Sequence, residues 1–191
     1  MERNERIQIF ELEMMDHYKT VYNFLLRLSG NDTDAVDLTQ ETYARAYQKL
    51  HLYQEGTNAR AWLFRIAHNL FINSVRKQAK RKEEELDERE AYQRQDDSRS
   101  LGTFDDLRQA GALDRDFSDE VNLALNRLPE EQRVVVLMAD LYDFSEKEIA
   151  EVLKLKLNTV KSRTHRARLK LINILRTFAG QEYGIRSTRN A

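Results

Sequence analysis

A single proline, Pro129, and six glycines stand among 191 residues. Tight turns draw on these two residue types. A chain this poor in them is not built from many short strands, which excludes a β-sandwich or a propeller. Helix is what remains, and the apolar spacing agrees. Met14, Tyr18, Val21, Tyr22, Leu25 and Leu28 recur at three and four, as on one side of an amphipathic helix. Ser29-Gly30-Asn31-Asp32 closes that helix, with Gly30 placed for a left-handed cap. A second helix is expected from Thr33 or Asp34 to about Leu50, burying Val36, Leu38, Tyr43, Ala46, Tyr47 and Leu50. A third, from about Ala59 to Lys80, carries Trp62, Leu63, Ile66, Leu70 and Val75 on its apolar side.

The absence of cysteine removes disulfides, thiolate nucleophiles and Cys-ligated zinc, and fits a reducing compartment. No stretch approaches the ~20 apolar residues of a membrane span. Met1–Arg6 lacks the apolar core of a signal peptide. A cytoplasmic protein without membrane contact is expected.

The net charge of −1 conceals an uneven distribution. Gly56 to Arg81 holds no acid but carries Arg60, Arg65, Arg76, Lys77, Lys80 and Arg81. Lys154 to Gly180 is again acid-free, with Lys154, Lys156, Lys161, Arg163, Arg166, Arg168, Lys170 and Arg176. Between these blocks, Lys82 to Asp119 holds 13 acidic against 6 basic side chains, with few large apolar ones. Residues 82–117 therefore read as a flexible acidic linker between two helical domains, 1–81 and 118–180, with a polar mobile tail at 181–191. Two basic blocks point to a polyanion partner.

After Pro129, which opens a helix with Glu130-Glu131, Arg133 to Leu141 reads as apolar helix. Ser145-Glu146-Lys147-Glu148 fits a capping box ahead of a short helix to Leu153. A four-residue interruption leads to Asn158, read as the N-cap of a last helix from Thr159 to about Phe178. A short capped helix, a turn and a basic helix make a helix-turn-helix. In the last helix Val160, Thr164, Ala167, Leu171 and Ile174 face the core, and Lys161, Ser162, His165 and Arg166 face outward. Lys, Arg and Ser can address base edges there, and the helix N-terminus favours a phosphate. Arg163 reads as buried or backbone-contacting.

The segments Asp37-Leu38-Thr39-Gln40-Glu41-Thr42-Tyr43, Ala61-Trp62-Leu63-Phe64-Arg65-Ile66-Ala67-His68-Asn69, Leu128-Pro129-Glu130-Glu131-Gln132-Arg133 and Asn158-Thr159-Val160-Lys161-Ser162-Arg163 resemble, in order and spacing, the extracytoplasmic-function (ECF, group 4) sigma factors of bacterial RNA polymerase. The resemblance implies an all-α protein with a sigma-2 helical bundle and a sigma-4 helix-turn-helix. It implies binding without catalysis and without a cofactor or metal. Asp37, Gln40 and Glu41 would meet the clamp helices of the large polymerase subunit, whose flap is a further contact. Tyr53 and Asn58, in the loop that holds a flipped non-template base, would join Arg65, Asn69, Asn73, Arg76 and Lys77 at the −10 strand. Thr159, Lys161, Ser162, His165 and Arg166 would read the −35 duplex. Trp62 would be core packing, and an anti-sigma factor is the implied regulator. Lys154 and Lys156 stand where the family places a Pro-containing turn, and Asn158 where it places Gly.

Two other classes compete, and a third, an adaptor that never touches DNA, is disfavoured by the two basic blocks. A stand-alone helix-turn-helix repressor needs only the C-terminal half and leaves Ala61–Asn69 unexplained. An enzyme finds little support: His17, His51, His68 and His165 are scattered, and no phosphate-binding glycine loop is present.

Overall fold

The computed structural model describes residues 3–89 and 119–183. The chain divides into two units, Met1–Leu113 and Asp114–Ala191, and the described residues contain helices and no strand. The linker expected at 82–117 and the tail beyond Tyr183 fall largely outside the described residues.

In the first unit, helix α1 is Arg3–Met14, a 3-10 turn spans Met15–His17, and α2 is Tyr18–Ser29. The stripe from Met14 to Leu28 is therefore carried by two elements, not one. Of its side chains Met14, Val21, Leu25 and Leu28 are buried, together with Phe24, whereas Tyr22 is half-buried and Tyr18 exposed. Gly30 closes α2 at φ 69, its amide donating to Leu26 O at 2.8 Å, as a left-handed cap requires. Helix α3 runs Asp32–Gln48 behind an N-cap at Asn31, whose Oδ1 accepts from the Asp34 amide at 3.0 Å. The helix starts one residue earlier than expected, and Leu50, though buried, sits in a 3-10 turn at Leu50–Leu52.

Helix α4 is Ala59–Arg89. It continues nine residues past Lys80, through Glu83-Glu84-Glu85, because Gln, Ala, Lys, Arg and Glu are all good helix formers and nothing from Gln78 onward breaks the run. Its buried face also differs from the expected one. Leu63 and Leu70 are buried, but their companions are Ala59, Phe64, Ala67 and Phe71, while Trp62, Ile66 and Val75 are only half-buried. Helix α4 packs against both α2 and α3. Contact with more than one helix widens the buried arc and turns it by one residue column. Phe24 of α2 and Phe64 of α4 meet with ring centroids 4.5 Å apart.

His68, on the same helix, has its Nδ1 buried without a hydrogen-bond partner. Burial pushes its pKa from 6.5 down to about 4. A group whose folded pKa lies below its unfolded one is most favourable to folding above the unfolded value, and loses that contribution as pH falls. Lowering pH from 7 to 5 is therefore expected to cost about 2 kcal/mol through His68. Denaturant melts of wild type and His68→Leu at both pH values check this: the variant should lose that share of the acid sensitivity.

In the second unit, α5 is Asp119–Asn126 and α6 is Glu130–Val136, with Pro129 as N-cap. The chain then widens into a π-helical turn, Leu137–Leu141. The apolar helix expected to reach Leu141 thus changes pitch. Leu137 and Met138 stay fully buried while Asp140 emerges at the surface. Helix α7, Glu146–Leu153, begins with the expected capping box: the Glu148 amide donates to Ser145 Oγ at 3.3 Å and the Ser145 amide to Glu148 Oε2 at 2.8 Å. Lys154 ends α7 in the left-handed region, φ 53, where glycine is the usual occupant. That early reversal lets α8 start at Leu157 and run to Tyr183. Asn158 is consequently inside the first turn and not the N-cap; Lys156 O accepts from the Thr159 and Val160 amides at 2.9 and 3.1 Å.

Candidate nucleic-acid and polymerase interfaces

Three polar surfaces follow from these helices. On α3, Thr39 and Thr42 are buried and turn their hydroxyls onto Ala35 O and Leu38 O, each at 2.6 Å. Satisfying those hydroxyls within the helix lets Leu38, Thr39, Thr42 and Tyr43 form the packed side. Asp37, Gln40 and Glu41 are left together on the exposed side. Glu41 pairs with Arg45 at 2.6 Å, one turn on.

The second surface surrounds the turn before α4. Tyr53 is half-buried, its ring centroid 5.2 Å from that of Trp62. Its hydroxyl faces Glu13 Oε2 at 2.5 Å and Thr57 O at 2.9 Å. Burial first, and then the Glu13 hydrogen bond, push its pKa up to about 12, so the phenol keeps its proton. Gly56 bends the loop at φ 75. Asn58 Oδ1 accepts from the Ala61 amide at 2.9 Å, the geometry of an N-cap. The reading as a base contact passed over this role, although an Asn just ahead of Ala59 is itself a helix-start signal. Along α4, Asn69, Asn73, Arg76 and Lys77 are exposed and Arg65 is half-buried. Spacings of four, seven and eight from Asn69 keep the exposed four on one side.

A cleft of about 490 Å³ opens beside this loop, lined by Leu12, Glu13, Asp16, His17, Asn58 and Arg60 among others. His17 is held below the usual histidine range by burial and then by Arg60, with Asp16 opposing. No short-range sequence signal announces the cleft, because its walls come from α1, the 3-10 turn and the loop forty residues later.

The third surface is the start of α8. Val160, Thr164 and Ala167 are buried. Lys161, Ser162, His165 and Arg166 are exposed on the opposite side, and Thr159 is half-buried. Arg166 Nε donates to Ser162 O at 3.1 Å. Three bases of the helix face acids of the same unit. Arg163 meets Glu131 at 2.6 Å, Arg168 grips Asp140 through Nε at 3.1 Å and a terminal nitrogen at 2.5 Å, and Lys161 lies 3.9 Å from Glu146. Arg163 thus contacts a carboxylate of α6. Among the described residues no group of His, Cys, Asp and Glu is placed to hold a metal ion, and no helix is long and apolar enough to cross a membrane.

Comparison with known proteins places two family models on the chain: Sigma-70 region 2 over residues 14–81, and Sigma-70, region 4 over residues 118–171. The chain is 38% identical over 159 residues to the ECF RNA polymerase sigma factor SigE of Mycolicibacterium smegmatis, and spans 58% of that relative's length. To the ECF RNA polymerase sigma factor EcfG of Rhodopseudomonas palustris it is 34% identical, over 84% of this chain and 82% of the relative. The fold matches the sigma factor RpoE of Bartonella quintana, solved with the anti-sigma factor NepR, at TM-score 0.67 and 26% identity, over 87% of this chain and 96% of that one. With both sigma-70 regions matched in order, and with such a relative covered over four-fifths of its length, this chain belongs to the ECF sigma factors, the promoter-recognising subunits of RNA polymerase.

Proposed function

We propose that the two units divide the promoter between them. The first captures the melted −10 strand through the 53–58 loop and the Arg65, Asn69, Asn73, Arg76, Lys77 side of α4. The second reads the −35 duplex through Thr159, Lys161, Ser162, His165 and Arg166. The observation that carries this reading is the segregation on α8, where the buried Val160, Thr164 and Ala167 leave polar and basic side chains outward on the first two turns, the part of such a helix that enters the major groove. Asn and Arg on α4 suit phosphates and the edges of unpaired bases. Asp37, Gln40 and Glu41 are the proposed contact with the clamp helices of polymerase, and the second unit the contact with the flap.

The mechanism is differential binding, and the chain acts without catalysis. Extruding a base costs a few kcal/mol, and capture of the unpaired strand offsets that cost without nucleotide hydrolysis. The protein works in the cytoplasm, and an anti-sigma factor, the class of partner solved with RpoE, holds it inactive. Run-off transcription with core polymerase on genomic promoter fragments tests the reading. New discrete start sites appearing only with this protein are expected. No initiation, together with tight dimeric binding to duplex DNA alone, favours a repressor instead.

A further inference from the structure

The 53–58 loop has little apolar surface to hold it, since Gln54, Glu55, Gly56, Thr57 and Asn58 are all exposed. Its shape is fixed by polar contacts, and one residue far away in sequence makes a central pair of them. Glu13, in the last turn of α1, receives the Tyr53 hydroxyl on Oε2 at 2.5 Å and faces the Gly56 amide with both oxygens at 3.3 Å. A carboxylate at a helix C-terminus sits at the negative end of the helix dipole. Nothing in α1 itself favours it there, whereas the loop supplies two donors.

We propose that Glu13 is a positioning residue for −10 strand capture, latching the loop from inside so that its outer side keeps one shape. The inference rests on the assignment of that loop to the −10 strand. The latch acts at both ends of the bend. Tyr53 enters the loop and also reaches Thr57 O at 2.9 Å, while Gly56, at φ +75, is the residue that reverses the chain. A Cβ at Gly56 would meet nothing within 4 Å, so backbone conformation and not space calls for glycine. Through the Tyr53 ring on Trp62 the latch also bears on the first turn of α4, the helix that carries Asn69, Asn73, Arg76 and Lys77. The carboxylate lies in the wall of the 490 Å³ cleft beside the loop, so its loss alters the place where an unpaired base would lodge.

The test uses holoenzyme reconstituted with wild type, Glu13→Ala, Glu13→Gln or Tyr53→Phe, each with a photo-crosslinking benzoylphenylalanine at position 55, on a promoter defined by run-off transcription. Wild type is expected to crosslink one −10 position of the non-template strand. Glu13→Ala should spread that crosslink over neighbouring positions and lower discrimination among the four bases there about tenfold, the scale of one lost charge-assisted hydrogen bond. Affinity for core polymerase should stay at the wild-type value, and the thermal midpoint should fall by no more than a few degrees. Glu13→Gln keeps an acceptor oxygen and should recover most of the discrimination, and Tyr53→Phe, which keeps the ring on Trp62, should resemble Glu13→Ala. An alanine variant with a single crosslink and full discrimination overturns the positioning role and leaves the loop's assignment standing. Loss of discrimination only in step with thermal midpoint and core affinity overturns it too, as a merely structural effect. A wild-type protein with no −10 crosslink overturns the loop's assignment, and the inference with it.

Discussion

Phe64→Ala is expected to remove about 3–5 kcal/mol from the first unit, against a total of about 5–15 kcal/mol for an ordinary domain. Phe64 is fully buried, and its ring meets Phe24 across the α2–α4 contact. The cavity would open between two helices held by the rest of the bundle, so collapse around it is restricted. Trp62, the single tryptophan, is two residues away and reports this unit alone. Its fluorescence in a urea titration should show a lower midpoint at unchanged slope. Leu52→Ala, at a side chain 67% exposed, should move the midpoint by no more than about 0.5 kcal/mol. Equal effects from the two substitutions would contradict the assigned core.

Lys161→Ala and Arg166→Ala are each expected to lower initiation from a −35-dependent promoter by about tenfold, and together by about a hundredfold. A groove contact of this type contributes about 1–3 kcal/mol. Both side chains are exposed and neither is part of the buried side of α8, so the thermal midpoint should not move. Run-off yields on matched promoters with and without a −35 element provide the measurement. Loss confined to the first template supports base reading. Equal loss on both would assign the two residues to non-specific phosphate contact.

The elements that are legible in the sequence are those fixed by neighbours a few residues away. Ser145 and Glu148 announce a capping box, Gly30 a left-handed cap, and the spacing of Val160, Thr164 and Ala167 the buried side of the last helix, each as observed. What sequence reading misplaces depends on tertiary partners. The largest apolar residue of α4, Trp62, is only half-buried, because packing against more than one helix turns the buried arc toward Phe64, Ala67 and Phe71. Lys154 carries no signal for a left-handed turn, yet its conformation shifts the start of α8 and removes Asn158 from the cap. The Glu13–Tyr53 contact joins residues forty apart, beyond any local pattern. Acidic composition also concealed the continuation of α4 to Arg89, where helix propensity outweighs it.

The carboxylates facing α8 bear on how the protein searches a genome. Eight lysines and arginines stand between Lys154 and Gly180, but Lys161, Arg163 and Arg168 face acids of their own unit. Each phosphate neutralised on duplex DNA releases condensed counterions, and this sequence-blind gain is what traps basic proteins at random sites. A helix whose cations are partly answered from within gathers less of that gain. Its dwell time on unrelated DNA is expected to be shorter, while the correct base pattern still rewards the side chains left outward. The same acids that brace the helix would thereby keep the subunit available, leaving it to the polymerase and the promoter together to hold it in place.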